Sequence, residues 1–164
     1  MGTAASSASE RMGAGPPLST RFRLGPEITP EQAAFLDDHG FLVFGRVASA
    51  DEIAALDASL RRIERLWLDE KRRFVNGVPV FWGTIDGKPT VQRFAFCSLF
   101  SQTIREFVHD PRFEPIRRMI GERARVGDEE QDGVVVSRFL NARGSVVPCL
   151  GWHTDGLRDL VHGR

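Results

Sequence analysis

The sequence predicts an α+β fold, in which capped helices near the start of the chain are followed by short strands. Helix-capping residues stand at Thr29 and Ser49, and apolar residues recur at helical spacing after each of them. Segments rich in β-branched and aromatic residues follow from about residue 78 onward and are bounded by Gly, Pro and Asp. These two kinds of segment come in succession, which is the order typical of α+β domains.

Length and composition indicate one globular domain with a sizeable core. The chain has 164 residues, of which 41% are hydrophobic and 27% charged. Lys+Arg 22 and Asp+Glu 22 give a formal net charge of zero, which argues against a nucleic-acid binder that acts through a bulk basic field. No apolar run reaches the about 18 residues of a membrane-spanning helix. We therefore expect neither a nucleic-acid nor a membrane partner.

The cysteines and the N-terminus favour a cytoplasmic protein. Cys97 and Cys149 lie far apart and form no zinc or redox motif. The N-terminus lacks the basic-then-apolar order of a secretory signal. Residues 1–24 are mostly small residues and Pro, so we expect a flexible leader there, with no apolar cluster that docks on the domain at 25–164.

The first helices are predicted from their caps. Thr29 with Gln32 forms a capping box for a helix that ends at Gly40, and residues 41–44 (FLVF) follow as a short buried strand. A second helix, opened by Ser49, runs to about residue 71. Its polar face carries Arg61, Arg62, Glu64 and Arg65, for which we expect solvent exposure. One helix–strand–helix core is expected around Phe35, Leu42, Ile53, Leu56 and Leu60.

The second half of the chain predicts a hairpin, two short helices and a further strand. Residues 78–82 and 91–96 read as antiparallel strands joined by the turn at 85–88. Helices are expected at 101–109 and 110–121, and strand character returns at 134–140.

The segment GWHTDG at 151–156 is the most informative for chemistry. Residues i and i+2 of a strand project from the same face, so His153 and Asp155 can converge on one point. An imidazole and a carboxylate so placed are two of the three ligands of a facial triad that binds Fe(II). An ordinary histidine at the end of a strand is the alternative.

Two blocks of the sequence, in this order, resemble the phytanoyl-CoA dioxygenase family of Fe(II)/2-oxoglutarate oxygenases. Residues 29–60 (TPEQAAFLDDHGFLVFGRVASADEIAALDASL) are similar to the family's opening helix, strand and second helix. Residues 134–156 (VVVSRFLNARGSVVPCLGWHTDG) are similar to the strand and loop that lead into its His-x-Asp motif. The resemblance covers about residues 29–160.

This resemblance implies a double-stranded β-helix, or jelly roll, with the N-terminal helices packed on it. It implies His153 and Asp155 as iron ligands, and an oxygenase that uses Fe(II), 2-oxoglutarate and molecular oxygen to hydroxylate a small organic or acyl substrate. Arg138 and Asn141 are implied as contacts to 2-oxoglutarate. For Arg138 the alternative is an ordinary strand arginine paired with an acid.

The chain also departs from the family pattern. The family's second histidine and the basic residue that clamps 2-oxoglutarate come from later strands, whereas this sequence ends nine residues after Asp155. His162 belongs to the wrong strand for the third ligand. A jelly roll needs about eight strands, so residues 25–164 are expected to be the N-terminal part of the catalytic domain, truncated after the motif. The alternative function is a catalytically silent remnant that acts as a metal-binding or interaction module.

Overall fold

A computed structural model describes residues 15–124, 134–146 and 149 of the chain. These residues form an α+β fold, as the sequence predicts. The helices are α1 (Pro30–His39), α2 (Ala50–Asp69), α3 (Gln102–Val108) and α4 (Glu114–Ile120). Two 3₁₀ helices span Cys97–Phe100 and Pro111–Phe113. The strands are β1 (Phe74–Val75), β2 (Val78–Pro79), β3 (Phe81–Ile85), β4 (Lys88–Phe94) and β5 (Val136–Ser137).

The described strands form two antiparallel sheets. Strands β1 and β2 pair with each other, and β3, β4 and β5 form a second sheet in that order. The predicted hairpin is present as β3–β4, with its turn at Asp86 and Gly87, whose φ angles are 48° and 78°. Its strand bounds differ from the predicted 78–82 and 91–96, because residues 78–79 pair with β1 and β4 ends at residue 94. Two successive residues with positive φ match the right-handed twist of the flanking strands. Both outer strands of the three-stranded sheet, β3 and β5, are edges among the residues described.

Both predicted capping boxes are present. The Gln32 backbone N–H donates to Thr29 Oγ1 (3.2 Å), and the Thr29 N–H donates to Gln32 Oε1 (3.0 Å). At α2 the Glu52 N–H donates to Ser49 Oγ (3.1 Å), and the Ser49 N–H donates to Glu52 Oε2 (2.7 Å). Each box satisfies two backbone N–H groups that the start of a helix would otherwise leave unpaired.

Helix α2 supplies the centre of the main core. Ile63 and Trp67, one turn apart, are each 1% exposed and face the sheet. The Trp67 ring lies 5.7 Å from the Phe94 ring and 5.2 Å from the Phe100 ring, measured between centroids. Aromatic rings at such separations contribute packing energy beyond the area that they bury. This core joins α2 to β4 and to the 3₁₀ helix that follows it.

The expected helix–strand–helix core is wrong in two respects. Phe35 of α1 packs in a separate aromatic cluster, with centroid distances of 5.2 Å to Phe22 and 5.6 Å to Phe41. Ile53 is 55% exposed, because it lies in the first turn of α2, before the buried positions Ile63 and Trp67. Periodicity identified the apolar face of α2 but not where along the helix that face becomes covered.

Phe22 and Arg23, which the leader prediction places outside the domain, contact α1. Phe22 is 8% exposed, and its N–H donates to Val43 O (2.8 Å) while the Gly45 N–H donates to Phe22 O (2.9 Å). The predicted strand at 41–44 is thereby reduced to a single parallel bridge between Phe22 and Phe44. Gln32 Nε2 donates to Arg23 O (2.9 Å). The Phe22 ring thus docks this part of the chain on α1, although most of the neighbouring residues are small.

A search of the described residues for bilayer-spanning segments found no helix with the length and apolar character required.

The two isoleucines of α2 provide a matched test of this packing. Ile63→Ala should lower the free energy of unfolding by about 2–5 kcal/mol, because it opens a cavity between α2 and β4. Ile53→Ala removes the same atoms from an exposed position and should change the free energy of unfolding by less than about 0.5 kcal/mol. Urea denaturation measures both. Equal losses for the two variants would contradict the orientation of α2 described here.

Candidate functional site

The predicted site residues divide into two groups. The proposed iron ligands His153 and Asp155, together with His162, lie outside the described residues. Arg138 and Asn141, the expected contacts to 2-oxoglutarate, lie within them, on the segment that leaves strand β5.

Arg138 continues the pairing of β5 with β4. Its backbone N–H donates to Gln92 O (2.7 Å). Its Nη1 donates to Glu64 Oε1 (2.9 Å) and, more weakly, to Val91 O (3.4 Å). The guanidinium carbon lies 4.7 Å from the centre of the Phe94 ring, a cation–π distance. Arg138 is thus paired with an acid, which is the alternative to a 2-oxoglutarate contact that the sequence analysis left open.

Glu64 is the acid of that pair, and it connects helix α2 to the sheet. The Glu64 side chain is 18% exposed and that of Arg138 is 23% exposed. Glu64 Oε1 also accepts the Val91 backbone N–H (2.8 Å). The pairing of β3 with β4 shifts by one residue here, so that Gln92 is an extra residue on β4. Such a bulge disrupts the ladder locally, and a side-chain acceptor then satisfies a strand N–H.

Gln92, the extra residue of this bulge, holds the segment at 138–146. The residue is fully buried. Its Oε1 accepts the Val146 N–H (2.7 Å), and its Nε2 donates to Ser145 Oγ (2.7 Å) and to Arg138 O (3.4 Å). Buried amides need such partners, because an unpaired polar group in the interior is costly. The segment that precedes the His-x-Asp motif is therefore fixed on β4.

Close backbone contact adds to this fixation. Gly144 lies against Thr84 of β3 so closely that a Cβ at Gly144 would overlap the Thr84 carbonyl oxygen. The Gly144 φ angle is 86°, in a region that favours glycine. A Cβ at Gly83 would in turn lie 2.6 Å from the Gly144 carbonyl oxygen. The glycines at both positions allow the loop to lie directly on the strand.

Asn141 lies on the exposed side of this segment, three residues after Arg138. The structure gives it a solvent-facing position rather than a buried polar pocket. Contact of Asn141 or Arg138 with 2-oxoglutarate stays a prediction.

Sequence reasoning missed Glu64 and Gln92. The prediction that Glu64 is solvated together with its neighbouring arginines is wrong, because its carboxylate turns to the sheet. Its position next to the buried Ile63 was the available signal, and the partner on the sheet is 74 residues away. Gln92 follows Val91 and stands two residues before Phe94, and a polar residue near apolar strand residues of this kind can indicate a buried amide.

The described residues hold no group of three or more His, Cys, Asp or Glu side chains that could hold a metal ion. Cys97 is buried, and burial raises the pKa of its thiol to about 11. A thiol with that pKa is protonated at neutral pH, whereas metal ligation and nucleophilic attack both require the thiolate. Cys97 therefore acts as part of the core.

Comparison of the chain with protein-family models, with curated proteins and with solved structures gives no match.

Replacement of the buried amide tests whether it anchors the segment at 138–146. Gln92→Leu keeps the volume but leaves the Val146 N–H and the Ser145 hydroxyl without their partner, so the free energy of unfolding should fall by about 1–3 kcal/mol. The Val146 amide should also exchange its hydrogen faster. Gln102→Leu is the control, because Gln102 is an exposed glutamine on α3. If Gln92→Leu matches this control in stability and in Val146 exchange, the anchoring is refuted.

Proposed function

We propose that the chain belongs to the lineage of Fe(II)- and 2-oxoglutarate-dependent oxygenases, with His153 and Asp155 as iron ligands. The observation that carries the proposal is the His-x-Asp motif seven residues after Val146, the last residue of a segment fixed on β4. A short tether to a rigid sheet limits the positions that two ligands can take, and metal sites depend on such support. The resemblance to phytanoyl-CoA dioxygenases supplies the reaction class.

The donor set suits this metal. A neutral imidazole and a carboxylate are two of the three ligands in the facial triad of non-haem Fe(II) oxygenases. When bound, iron with 2-oxoglutarate and oxygen supplies the oxidising chemistry, in which a substrate C–H becomes C–OH while 2-oxoglutarate becomes succinate and carbon dioxide. The chain's own task is to hold the ligands, orient the substrate and exclude water. His153 must bind through an unprotonated nitrogen, so iron affinity should weaken at acidic pH.

The sheet fits the proposed jelly roll as a part of it. Strands β3, β4 and β5 are antiparallel, with α2 packed across one face, and both outer strands have free edges among the residues described. Antiparallel pairing and open edges are what the first strands of a double-stranded β-helix require before further strands join. A small-molecule substrate and a cytoplasmic location belong to the same proposal.

Arg138 has a positioning role within this proposal. Its Nη1 is engaged by Glu64 and Val91, so the residue fixes the end of β5 against α2 and β4. A direct contact with the carboxylate of 2-oxoglutarate would use its other N–H groups, and an exposed Asn141 could approach the same ligand from the segment that follows.

A second candidate is a metal-binding or interaction module without turnover. The motif favours this candidate because it supplies only two ligands, His153 and Asp155, whereas a facial triad needs three. Both candidates bind metal through the same two residues. They differ in whether succinate is formed.

Anaerobic titration of the full chain with Fe(II) tests the metal site. We expect weak saturable binding that His153→Ala and Asp155→Ala abolish, because each removes one of the two ligands that the motif supplies. His162→Ala is the matched control and should bind iron as the unaltered chain does. Equal Fe(II) affinity in His153→Ala and the unaltered chain would refute the proposed site. Succinate formation from 2-oxoglutarate in air then separates the candidates: its presence identifies the oxygenase, and its absence identifies the silent module.

A further inference from the structure

A cleft of about 550 Å³ lies at the opposite end of α2 from the sheet contacts of Trp67. Its walls come from the segment at 23–26, the loop at 45–47 and the 3₁₀ helix at 111–113. Pockets for small molecules generally fall in the range of about 300–1,000 Å³. The lining includes Arg23, Leu24, Arg46, Val47, Pro111 and Arg112.

The walls of this cleft are held by hydrogen bonds. The Phe22 N–H and the Gly45 N–H join the first two walls through the parallel bridge between Phe22 and Phe44. Arg112 Nη1 donates to Val47 O (2.9 Å), which ties the third wall to the second. The cleft is therefore a fixed feature of the fold, built by residues far apart in the sequence.

Arg112 has its charge compensated within the protein. Its Nη2 donates to Glu52 Oε1 (2.5 Å) and to Asp110 Oδ2 (2.7 Å). Hydrogen bonds from Arg112 lower the pKa of both carboxyl groups to about 2. Both are consequently ionised at neutral pH, and Arg112 serves to join α2 to the 3₁₀ helix rather than to attract a ligand.

Arg23 and Arg46 differ from Arg112 in this respect. Both are exposed, and neither guanidinium has an ion pair or hydrogen bond with another described residue. No acidic side chain is among the described residues that line the cleft. The two positive charges therefore face the same cavity, and the carboxylates of Glu52 and Asp110 beside it are bonded to Arg112 rather than to either of them.

The backbone at Arg46 has an uncommon conformation beside the cleft. Its φ angle is 57°, in the left-handed region that residues with a Cβ rarely adopt. Such conformations occur at binding sites and also in ordinary turns, as at Asp86, so the φ of Arg46 supports a ligand site only together with the cleft that Arg46 lines. Here the adjacent residues Gly45 and Val47 are both fixed by hydrogen bonds to other segments.

We propose that this cleft binds a small molecule that carries an oxyanion group, phosphate or carboxylate, and a short apolar part. Arg23 and Arg46 bind the oxyanion, since guanidinium groups match the geometry of such oxygens. Leu24, Val47 and Pro111 contact the apolar part. This ligand is independent of the iron chemistry proposed above.

Isothermal titration calorimetry of the full chain with phenyl phosphate and with benzoate tests the proposal. At least one probe should bind saturably with a stoichiometry of about one, and the tighter probe identifies the oxyanion. Arg23→Gln and Arg46→Gln should each weaken that binding at least about tenfold, because each loses a charge-assisted hydrogen bond. Arg62→Gln removes the same charge from an exposed position on α2 and should bind within about twofold of the unaltered chain.

Arg46→Gly separates binding from folding. Glycine adopts positive φ without a steric penalty, so this variant should keep or raise the midpoint of thermal unfolding while it loses the probe. Absence of saturable binding for both probes would overturn the proposal. Binding by Arg23→Gln and Arg46→Gln at the affinity of Arg62→Gln would overturn it as well. If inorganic phosphate binds as tightly as phenyl phosphate, the apolar part of the proposal is refuted.

Discussion

The carboxylate of Glu64 is the contact on which the arrangement of α2, the sheet and the following segment depends. A charge that is only 18% exposed must be paired and hydrogen-bonded, since removal of an ion from water is costly. Glu64 meets this requirement with the Val91 N–H at 2.8 Å and Arg138 Nη1 at 2.9 Å. One oxygen thus joins a helix, a central strand and the end of an edge strand.

The apolar core alone would not define this arrangement. Burial of Ile63 and Trp67 against the sheet is favourable but non-directional. Hydrogen bonds from Val91 and Arg138 to Glu64 define how the helix lies along β4, because their strength falls steeply with misalignment. Gln92 of β4 then accepts the Val146 N–H, so a continuous series of contacts runs from α2 to the residues that precede the His-x-Asp motif. In the proposed oxygenase this series of contacts holds the segment that precedes His153 and Asp155 in the sequence.

Local features of the fold could be predicted from the sequence, whereas long-range contacts could not. The capping boxes at Thr29 and Ser49 and the turn at Asp86 and Gly87 depend on residues a few positions apart, and all three are confirmed. The docking of Phe22 depends on a bridge to a segment about twenty residues away, and no local pattern predicts it. The acid partner of Arg138 lies on a helix 74 residues earlier. Periodicity placed Glu64 at the border of the apolar face of α2. A side chain at that border can face either the solvent or a buried partner.

A double-mutant cycle between Glu64 and Arg138 measures whether their contact stabilises the arrangement of α2, β4 and the end of β5. Glu64→Gln keeps an oxygen for the Val91 N–H and removes the charge, and Arg138→Gln removes the cation. We expect a coupling energy of at least about 1 kcal/mol, because each single variant leaves a part-buried charge without its partner. The exposed Asp57–Arg61 pair, with side chains 47% and 66% exposed, is the reference and should couple more weakly. If the losses in the free energy of unfolding at Glu64 and Arg138 add to within about 0.3–0.5 kcal/mol, the two side chains are not coupled and the central role of Glu64 is contradicted.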